Sequence, residues 1–309
     1  MKDIHMNFSQ LQCFVALAET GSFTEAAYSV NLTQSAVSHA LSTLEGELGV
    51  ILFERSRRGG VALTQIGEKM LSHVRVILSQ TEAIKQEAKE AHGEAAGKLC
   101  LGSIPSVCPR LLAGVLTRFR AEYPDIEVVL FEGKLDEVYE WIVSGTVDVG
   151  LVLHPAKEIK SVQISTSELY VIVPPGHRLY TQGAVTLREL REEPFIMPRV
   201  GCAFLQLAGL EWGRTGPTIR YHASDTTTIL AMVREGLGIS LLPRMMLPEK
   251  MEGIALIPLA PPRYMQLGFA IKSQDLASPG AKWFMQTASA WAQEQASLSS
   301  SAIPNKLSV

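Results

Sequence analysis

The stretch that decides the fold covers residues 31–55 and reads NLTQSAVSHALSTLEGELGVILFER. Its apolar residues recur at the spacing of one helix face, namely Leu32, Ala36, Val37, Leu41, Leu44 and Leu48. The opposite face carries short uncharged side chains, and the stretch contains no lysine or arginine before Arg55. The pattern predicts a helix that packs on a core with one face and offers hydrogen-bonding groups on the other.

The residues around this stretch predict a compact helical unit. Helices are expected over about 8–18 and 23–30, and the third helix starts near Thr33 and ends before Gly49. The short connection between the second and third helices is the spacing of a helix-turn-helix. The following residues, VILFERSRRGGVALT, predict two short strands around a Gly59-Gly60 turn, which together form a wing.

The polar face of the third helix has the chemistry of a base-reading surface. Hydroxyls, glutamine and histidine can reach base edges in the major groove, whereas flanking basic residues contact phosphates. The candidate DNA contacts are Thr33, Gln34, Ser35, Ser38 and His39 on the helix, and Arg55, Arg57 and Arg58 on the wing. The alternative is an ordinary solvated face, but the adjoining tight turn and basic wing favour DNA.

A long helix is predicted over residues 64–92. Its apolar seam repeats every three and four residues and consists of Met70, Val74, Ile77, Thr81, Ile84, Ala88 and Ala91. Because the helix cannot cover this seam itself, we expect a dimerisation helix. The alternative is a helix that packs on its own domain.

Strand-like and helix-like segments alternate in the rest of the chain. Strands are expected at KLCLGSI, IEVVLFEG, VDVGLVL, LYVIVP, TIRYHA and GISLLP, with helices at PRLLAGVLTRFRAEY, DEVYEWIVSG and TTTILAMVREG. Alternation of this kind predicts parallel-type α/β layers.

The composition limits the class of protein. The net charge is −3, and the four cysteines are far apart with no metal-ligand spacing, as expected for a cytoplasmic protein with free thiols. No stretch is apolar enough for a membrane helix. We found no GxSxG, P-loop, GxGxxG or HExxH motif, so neither an enzyme nor a cofactor is predicted.

The residues from QLQCFVALAETGSFTEAA through TQSAVSHALSTLE and ELGVILFER to LTQIGEKML resemble the N-terminal winged helix of LysR-type transcriptional regulators. This resemblance implies an α/β protein with an N-terminal all-α winged helix-turn-helix, a long linker helix and a two-lobed effector domain like periplasmic binding proteins. The implied units are the DNA-binding domain 1–64, the linker helix 65–93 and the effector domain 94–296. Lobe I would comprise 94–167 and 272–296, lobe II would comprise 168–271, and the tail 297–309 is expected to be disordered.

A ligand cleft between the lobes would collect strand ends and helix starts. Loops 103–110 and 197–204 and the helix start at 224–227 supply Ser103, Pro105, Ser106, Val200, Gly201, Cys202, Ser224, Thr226 and Thr227 as candidate effector contacts. The resemblance adds Leu135, Leu153 and His154. Since helix N-termini favour anions, the expected effector is a small anionic metabolite, although each hydroxyl could instead be an ordinary N-cap.

The resemblance also implies the partners and the mechanism. It predicts binding to double-stranded operator DNA, homodimerisation through the linker helix, assembly of dimers into a homotetramer, and recruitment of RNA polymerase. An effector in the cleft would change the spacing of the headpieces and the bend of the DNA.

Two alternatives compete for the effector domain. Cys202 lies at a predicted helix start, where a thiol pKa is lowered, and oxidant-sensing members of the family keep a reactive cysteine there. No second cysteine follows closely, and Cys108 is the other candidate near the cleft. A solute-binding receptor is the alternative from another class, but it has no use for a winged helix.

The charge of the first 64 residues leads to a prediction about random DNA. Four basic residues meet six acidic ones in this segment, namely Lys2, Arg55, Arg57 and Arg58 against Asp3, Glu19, Glu25, Glu45, Glu47 and Glu54. We therefore expect weak binding to a random-sequence duplex with a shallow dependence of log Kd on log salt concentration. A steep slope in a salt titration would contradict this expectation.

Overall fold

The computed structural model describes residues 5–55, 60–93, 95–105, 107, 111–156, 158–198, 217–223 and 225–301, and the side chains of Arg55 and 298–301 are outside this description. The N-terminal unit has three helices, α1 (Phe8–Thr20), α2 (Phe23–Ser29) and α3 (Gln34–Leu48), followed by strands β1 (Phe53–Arg55) and β2 (Val61–Leu63). The two strands pair antiparallel, so the predicted helix-turn-helix and wing are confirmed.

The ends of these helices follow from identifiable residues. Asn7 caps α1 by accepting from the Gln10 N–H, and Ser22 and Thr33 cap α2 and α3. Gly21 and Gly49 end α1 and α3 in the left-handed conformation, which glycine adopts without a steric penalty.

The headpiece has its own core. Phe14 packs edge-on against Phe53 of the wing, with ring centroids 5.4 Å apart. The fully or almost fully buried side chains around this pair are Leu17, Val37, Leu41, Leu44 and Leu52. The core therefore joins all three helices to the wing.

The predicted long helix is α4 (Gln65–Glu90). Its first half packs on the headpiece, because Val74 is buried and Met70, Leu71 and Leu78 contact the same core. Two seam residues remain open to solvent within the chain, with Ile77 40% and Ile84 67% exposed. Part of the seam thus packs on the headpiece core, and part remains exposed and available to pack on another surface.

The effector domain is built on a seven-stranded mixed sheet. Its strands are β3 (Gly97–Ser103), β4 (Ile126–Glu132), β5 (Val149–Leu153), β6 (Lys160–Val173), β9 (Ser240–Pro243), β10 (Ala255–Pro258) and β11 (Tyr264–Ile271). The order is β10-β6-β11-β5-β3-β4, and β9 also pairs with β6. A separate pair of parallel strands is formed by β7 (Pro194–Pro198) and β8 (Thr218–Ala223).

Helices cover this sheet and join its strands. They are α5 (Ala113–Glu122), α6 (Leu135–Ser144), α7 (Thr226–Arg234) and α8 (Pro279–Ser301). Phe269 of β11 and Phe119 of α5 both pack edge-on against Phe284 of α8, at 5.1 and 5.3 Å between ring centroids. The last helix therefore packs on both α5 and β11.

The purely parallel expectation needs correction. Strands β3, β4 and β5 are parallel, but β11 pairs antiparallel with both β5 and β6. Strand β11 brings the chain back beside β5, and antiparallel neighbouring strands need no crossover helix between them. Strands β7, β10 and β11 were not among the strands expected from the sequence.

Two predicted domain boundaries fall inside single secondary-structure elements. The lobe boundary at 167/168 falls inside β6, which is one strand of 14 residues. The disordered tail was predicted from residue 297, whereas the helical backbone of α8 continues to Ser301. Residues 302–309 lie outside the described residues.

Gln86 of α4 connects the linker helix to the effector domain. Its side chain is 2% exposed, its Nε2 donates to the Lys98 carbonyl at 2.8 Å, and its Oε1 accepts from the Gly280 N–H at 3.1 Å. Gly97 is needed beside it, because a Cβ there would lie 2.7 Å from the Gln86 side chain. One buried amide thus joins the starts of β3 and α8 to α4.

We predict that Gln86→Ala lowers the free energy of unfolding of the effector domain by about 1–3 kcal/mol, since the buried Gly280 N–H and the part-buried Lys98 carbonyl lose their partner. Gln80→Ala is the control on the same helix, because the Gln80 Nε2 donates to the Leu276 carbonyl at an exposed site. Urea unfolding followed by tryptophan fluorescence measures both, because all four tryptophans lie between residues 141 and 291. Equal losses of unfolding free energy in the two variants would contradict the structural role assigned to Gln86.

Candidate DNA-contacting surface and effector site

The candidate base-reading residues share one exposed face of α3. Thr33, Gln34, Ser35, Ser38 and His39 are all exposed. Thr33 is also the N-cap, since its Oγ1 accepts from the Ala36 N–H at 3.2 Å and lies 3.0 Å from the Ser35 Oγ. Thr33 therefore starts the helix that presents the other four side chains.

The opposite face of α3 holds this surface in place. Val37, Leu41 and Leu44 are at most 3% exposed and belong to the headpiece core. A helix fixed by three buried side chains over two turns presents its outer face rigidly, which sequence-specific reading requires.

The wing lies beside α3 as the sequence predicted, but the residue that holds it there was missed. Glu45 Oε1 accepts from the Leu52 N–H at 2.6 Å and from the Phe53 N–H at 3.2 Å. From the sequence alone, Glu45 is one of the six acidic residues in the first 64, with no signal for this contact. Of the predicted wing contacts, Arg55 is described in its backbone alone, and Arg57 and Arg58 lie outside the described residues.

A second acidic residue of the headpiece also has a partner. Glu19 of α1 pairs with Arg75 of α4, with 3.1 Å between Oε1 and Nη2. This ion pair adds a polar contact between the headpiece and the linker helix, away from the exposed face of α3.

Three predicted effector residues meet at one edge of the main sheet. Ser103 ends β3, Leu153 ends the neighbouring parallel strand β5, and Leu135 starts α6 just after β4. Ser103 is fully buried, and its hydroxyl has no hydrogen-bond partner among the described residues. A buried hydroxyl without a partner costs free energy, so a ligand that supplies one would be favoured there. Pro105, two residues further on, is exposed.

His154 follows Leu153 at the same edge and is held within the domain. Its Nδ1 lies 3.0 Å from the Ser161 Oγ, and its backbone N–H donates to the Gln266 carbonyl. These contacts tie the end of β5 to β6 and β11.

A second edge is formed by β7 and β8. Their parallel register places Pro198 beside Ala223, and α7 begins three residues later with Thr226 and Thr227. The two threonines thus lie close in sequence to the end of β8, next to β7.

The expectation that the start of α7 is free to bind an anion requires a correction. Its N-cap is Asp225, whose Oδ2 accepts from the Thr228 N–H at 2.7 Å and from the Thr228 hydroxyl at 3.1 Å. These hydrogen bonds lower the pKa of the Asp225 carboxyl, so it carries its charge at neutral pH. The expected anion-binding helix start is therefore occupied by the chain's own carboxylate. The sequence offered this signal, since aspartate is a preferred N-cap.

The remaining candidates lie outside the described residues. They are Ser106, Val200, Gly201, Cys202 and Ser224, together with Cys108.

The two described cysteines do not have the environment of reactive thiols. Cys13 is fully buried in the headpiece core, and burial raises its thiol pKa. Burial, followed by the nearby Asp148 carboxylate, raises the thiol pKa of Cys100 to about 11. Both thiols are therefore protonated at neutral pH.

Comparison with known families identifies both parts of the chain. Residues 8–68 match the bacterial regulatory helix-turn-helix protein family, lysR type, and residues 92–293 match the LysR substrate binding domain. The protein is a LysR-type transcriptional regulator. It is therefore a DNA-binding protein with a substrate-binding domain, and its family consists of regulators, not enzymes. A solute-binding receptor is not supported.

Individual relatives match most of the chain. The HTH-type transcriptional regulator YvbU of Bacillus subtilis is 34% identical, over 92% of this chain and 98% of its own length. The hydrogen peroxide-inducible genes activator of Haemophilus influenzae is 29% identical, over 78% of this chain and 81% of its own. A full-length OxyR variant from Pseudomonas aeruginosa has the same fold, with a TM-score of 0.74 at 22% identity over 92% and 98% of the two chains.

The described residues contain no helix that is long and apolar enough to cross a membrane. They also contain no cluster of three or more histidine, cysteine, aspartate or glutamate side chains that could hold a metal ion.

We predict that Cys100 resists alkylation in the folded regulator. With a pKa of about 11, its thiolate fraction at pH 8 is roughly one in a thousand. Iodoacetamide labelling followed by mass spectrometry should therefore modify Cys100 at pH 8 at least about tenfold more slowly than in the urea-unfolded chain. Labelling at equal rates in both states would show that its environment does not suppress the thiolate.

Proposed function

We propose that this regulator reads its operator with α3 in the major groove, through Gln34, Ser35, Ser38 and His39. The observation that carries this proposal is the division of α3 into an exposed polar face and a fully packed apolar face. Within the described part of the chain, the side chains of Gln34, Ser38 and His39 form no hydrogen bond, so their donors and acceptors are available to base edges. Thr33 and the wing arginines Arg55, Arg57 and Arg58 would contact phosphates.

The linker helix supports a dimer as the reading unit. Ile77 and Ile84 are exposed on α4 within one chain, and a second α4 would cover them. We further propose that effector domains pair these dimers into a homotetramer that recruits RNA polymerase. The functional units would be residues 1–64, 65–93 and 94–296, with the lobes as expected from the sequence.

The reading role of Gln34 predicts a loss of discrimination. Gln34→Ala should weaken binding to the preferred operator by about 1–3 kcal/mol and relax the preference at one base pair. Thr43→Ala is the matched control. Thr43 lies nine residues after Gln34, about two and a half helical turns, and therefore on the opposite side of α3. Its hydroxyl donates to the His39 carbonyl. Competition binding against single-base operator variants measures the effect. Unchanged base preference in Gln34→Ala would contradict the proposed docking.

For the effector, we propose a small hydrogen-bonding metabolite with anionic character, bound at the edge where Ser103 ends β3. The unpartnered buried hydroxyl of Ser103 supports this position. Because Asp225 already fills the start of α7, we place the effector's negative charge away from Thr226 and Thr227, which would face its neutral groups. The proposed role of the ligand is to stabilise one of two lobe arrangements, which requires different affinities for the two.

The effector proposal predicts ligand-specific thermal stabilisation. A panel of small carboxylates and phosphates should contain a compound that raises the Tm of the wild type, and Ser103→Ala should abolish that rise. Thr117→Ala on the exposed face of α5 is the control, since its hydroxyl donates only to the Ala113 carbonyl. A compound that stabilises Ser103→Ala as well as the wild type would place the site elsewhere.

Cysteine oxidation is the second candidate signal. It is favoured by the similarity to a hydrogen peroxide-inducible activator and by the position of Cys202 in the sequence. Peroxide should then shift the Tm reversibly with reductant in the wild type and not in Cys202→Ser. A peroxide response that survives in Cys202→Ser, or no response at all, would contradict this candidate.

A further inference from the structure

Glu45 collects the backbone donors of the segment that follows the recognition helix. Its carbonyl accepts from the N–H groups of Gly49 at 2.8 Å and Val50 at 3.3 Å. Its carboxylate accepts from the N–H groups of Leu52 and Phe53. Four of the five N–H groups from residue 49 to residue 53 therefore end on one residue of α3.

The same segment is held from its other side by the start of the linker helix. The Thr64 hydroxyl lies 2.8 Å from the Ile51 carbonyl and 3.3 Å from the Leu52 carbonyl, and the Thr64 N–H donates to the Leu52 carbonyl at 2.9 Å. The Thr64 Oγ1 also accepts from the Gly67 N–H at 3.1 Å, so Thr64 is the N-cap of α4.

Leu52 thus joins two helices through its backbone. Its N–H is bonded to α3, its C=O is bonded to the start of α4, and its side chain is fully buried in the headpiece core. The contact with α4 is close, because a Cβ on Gly67 would lie 2.3 Å from the Leu52 oxygen. We call the connection of Glu45, Leu52 and Thr64 the Leu52 bridge.

The carboxylate of Glu45 stands at an electrostatically unfavourable place. An anion in the last turns of a helix is opposed by the helix dipole, and this headpiece already has more acidic than basic residues. A negative charge beside a DNA-reading helix also opposes phosphate binding. The bonds to Leu52 and Phe53 are the compensating gain that the structure shows.

We propose that the Leu52 bridge sets the angle between the recognition helix and the linker helix and thereby fixes the spacing of half-sites that a dimer accepts. The inference rests on the proposed function, in which α3 reads DNA and α4 pairs two subunits. In such a dimer, the orientation of each α3 relative to the shared α4 pair decides where the two reading surfaces lie along the duplex. Glu45 is a positioning residue in this account and does not touch DNA.

The test compares Glu45→Ala with Glu45→Gln. Both variants remove the charge, so their electrostatic effects on DNA binding are matched. Only glutamine keeps an oxygen at the end of a side chain of the same length, so it can still accept from Leu52 and Phe53.

The DNA probes carry two copies of the half-site that the wild type selects from a random-sequence pool. Their spacing is either the selected one or is changed by one to three base pairs. For each protein, the ratio of Kd values between changed and selected spacing is measured. This ratio does not depend on the fraction of active protein, so partial loss of folding does not move it.

We expect wild type and Glu45→Gln to bind the changed spacings at least about tenfold more weakly, and Glu45→Ala to lose most of this difference, to less than about threefold. A wild-type ratio in Glu45→Ala would overturn the inference while leaving the proposed function intact. A wild type without any spacing preference would overturn the proposed dimeric reading and the inference with it.

A second pair of variants covers the case in which Glu45→Ala does not fold. Thr64→Val removes the hydroxyl bonds to Ile51 and Leu52, whereas Thr64→Ser keeps them. Loss of spacing preference in Thr64→Val with retention in Thr64→Ser supports the Leu52 bridge, and equal spacing ratios in these two variants would contradict it.

Discussion

The structure depends on the linker helix α4 being held at both ends by backbone groups of other elements. At its start, Thr64 is bonded to the backbone of Leu52, and near its end Gln86 is bonded to the backbone of Lys98 and Gly280. Buried backbone donors and acceptors that lose a partner cost about 1–3 kcal/mol each, so these contacts resist separation. Headpiece, linker helix and the first strands of the effector domain are therefore mechanically connected within one chain.

If the effector binds at the proposed edge, this connection gives it a physical route to the DNA-binding unit. Strand β3 begins next to the Lys98 carbonyl that Gln86 holds and ends at Ser103, whose buried hydroxyl lacks a partner among the described residues. A ligand that moves the end of β3 acts on a strand whose other end is fixed to α4. The mixed sheet extends this connection, since β11 pairs with both β5 and β6.

Much of the fold could be predicted from local pattern. The helices of the headpiece follow from apolar spacing and from Gly21 and Gly49, and most strands of the effector domain follow from short β-rich runs. What escaped prediction depends on distant partners. Gln86 meets Gly280 across 194 residues, and a polar residue in an amphipathic helix has no sequence signal for such a contact. Glu45 has the sequence signature of a surface charge, because the backbone N–H donors that its carboxylate accepts from lie seven and eight residues away, beyond one helical turn. Asp225 shows a different limit, because residues 224–228 are five successive Ser, Asp and Thr residues, and several of them could have capped α7.

Hydrogen exchange of individual backbone amides in the full-length protein tests the connection most directly. If α4 is held at both ends, the Thr64 amide, which donates to the Leu52 carbonyl, and the Gly280 amide, which donates to Gln86 Oε1, exchange as slowly as core amides such as Val37. Exchange of these two amides at the rate of an unstructured peptide, with the core amides still protected, would contradict the account.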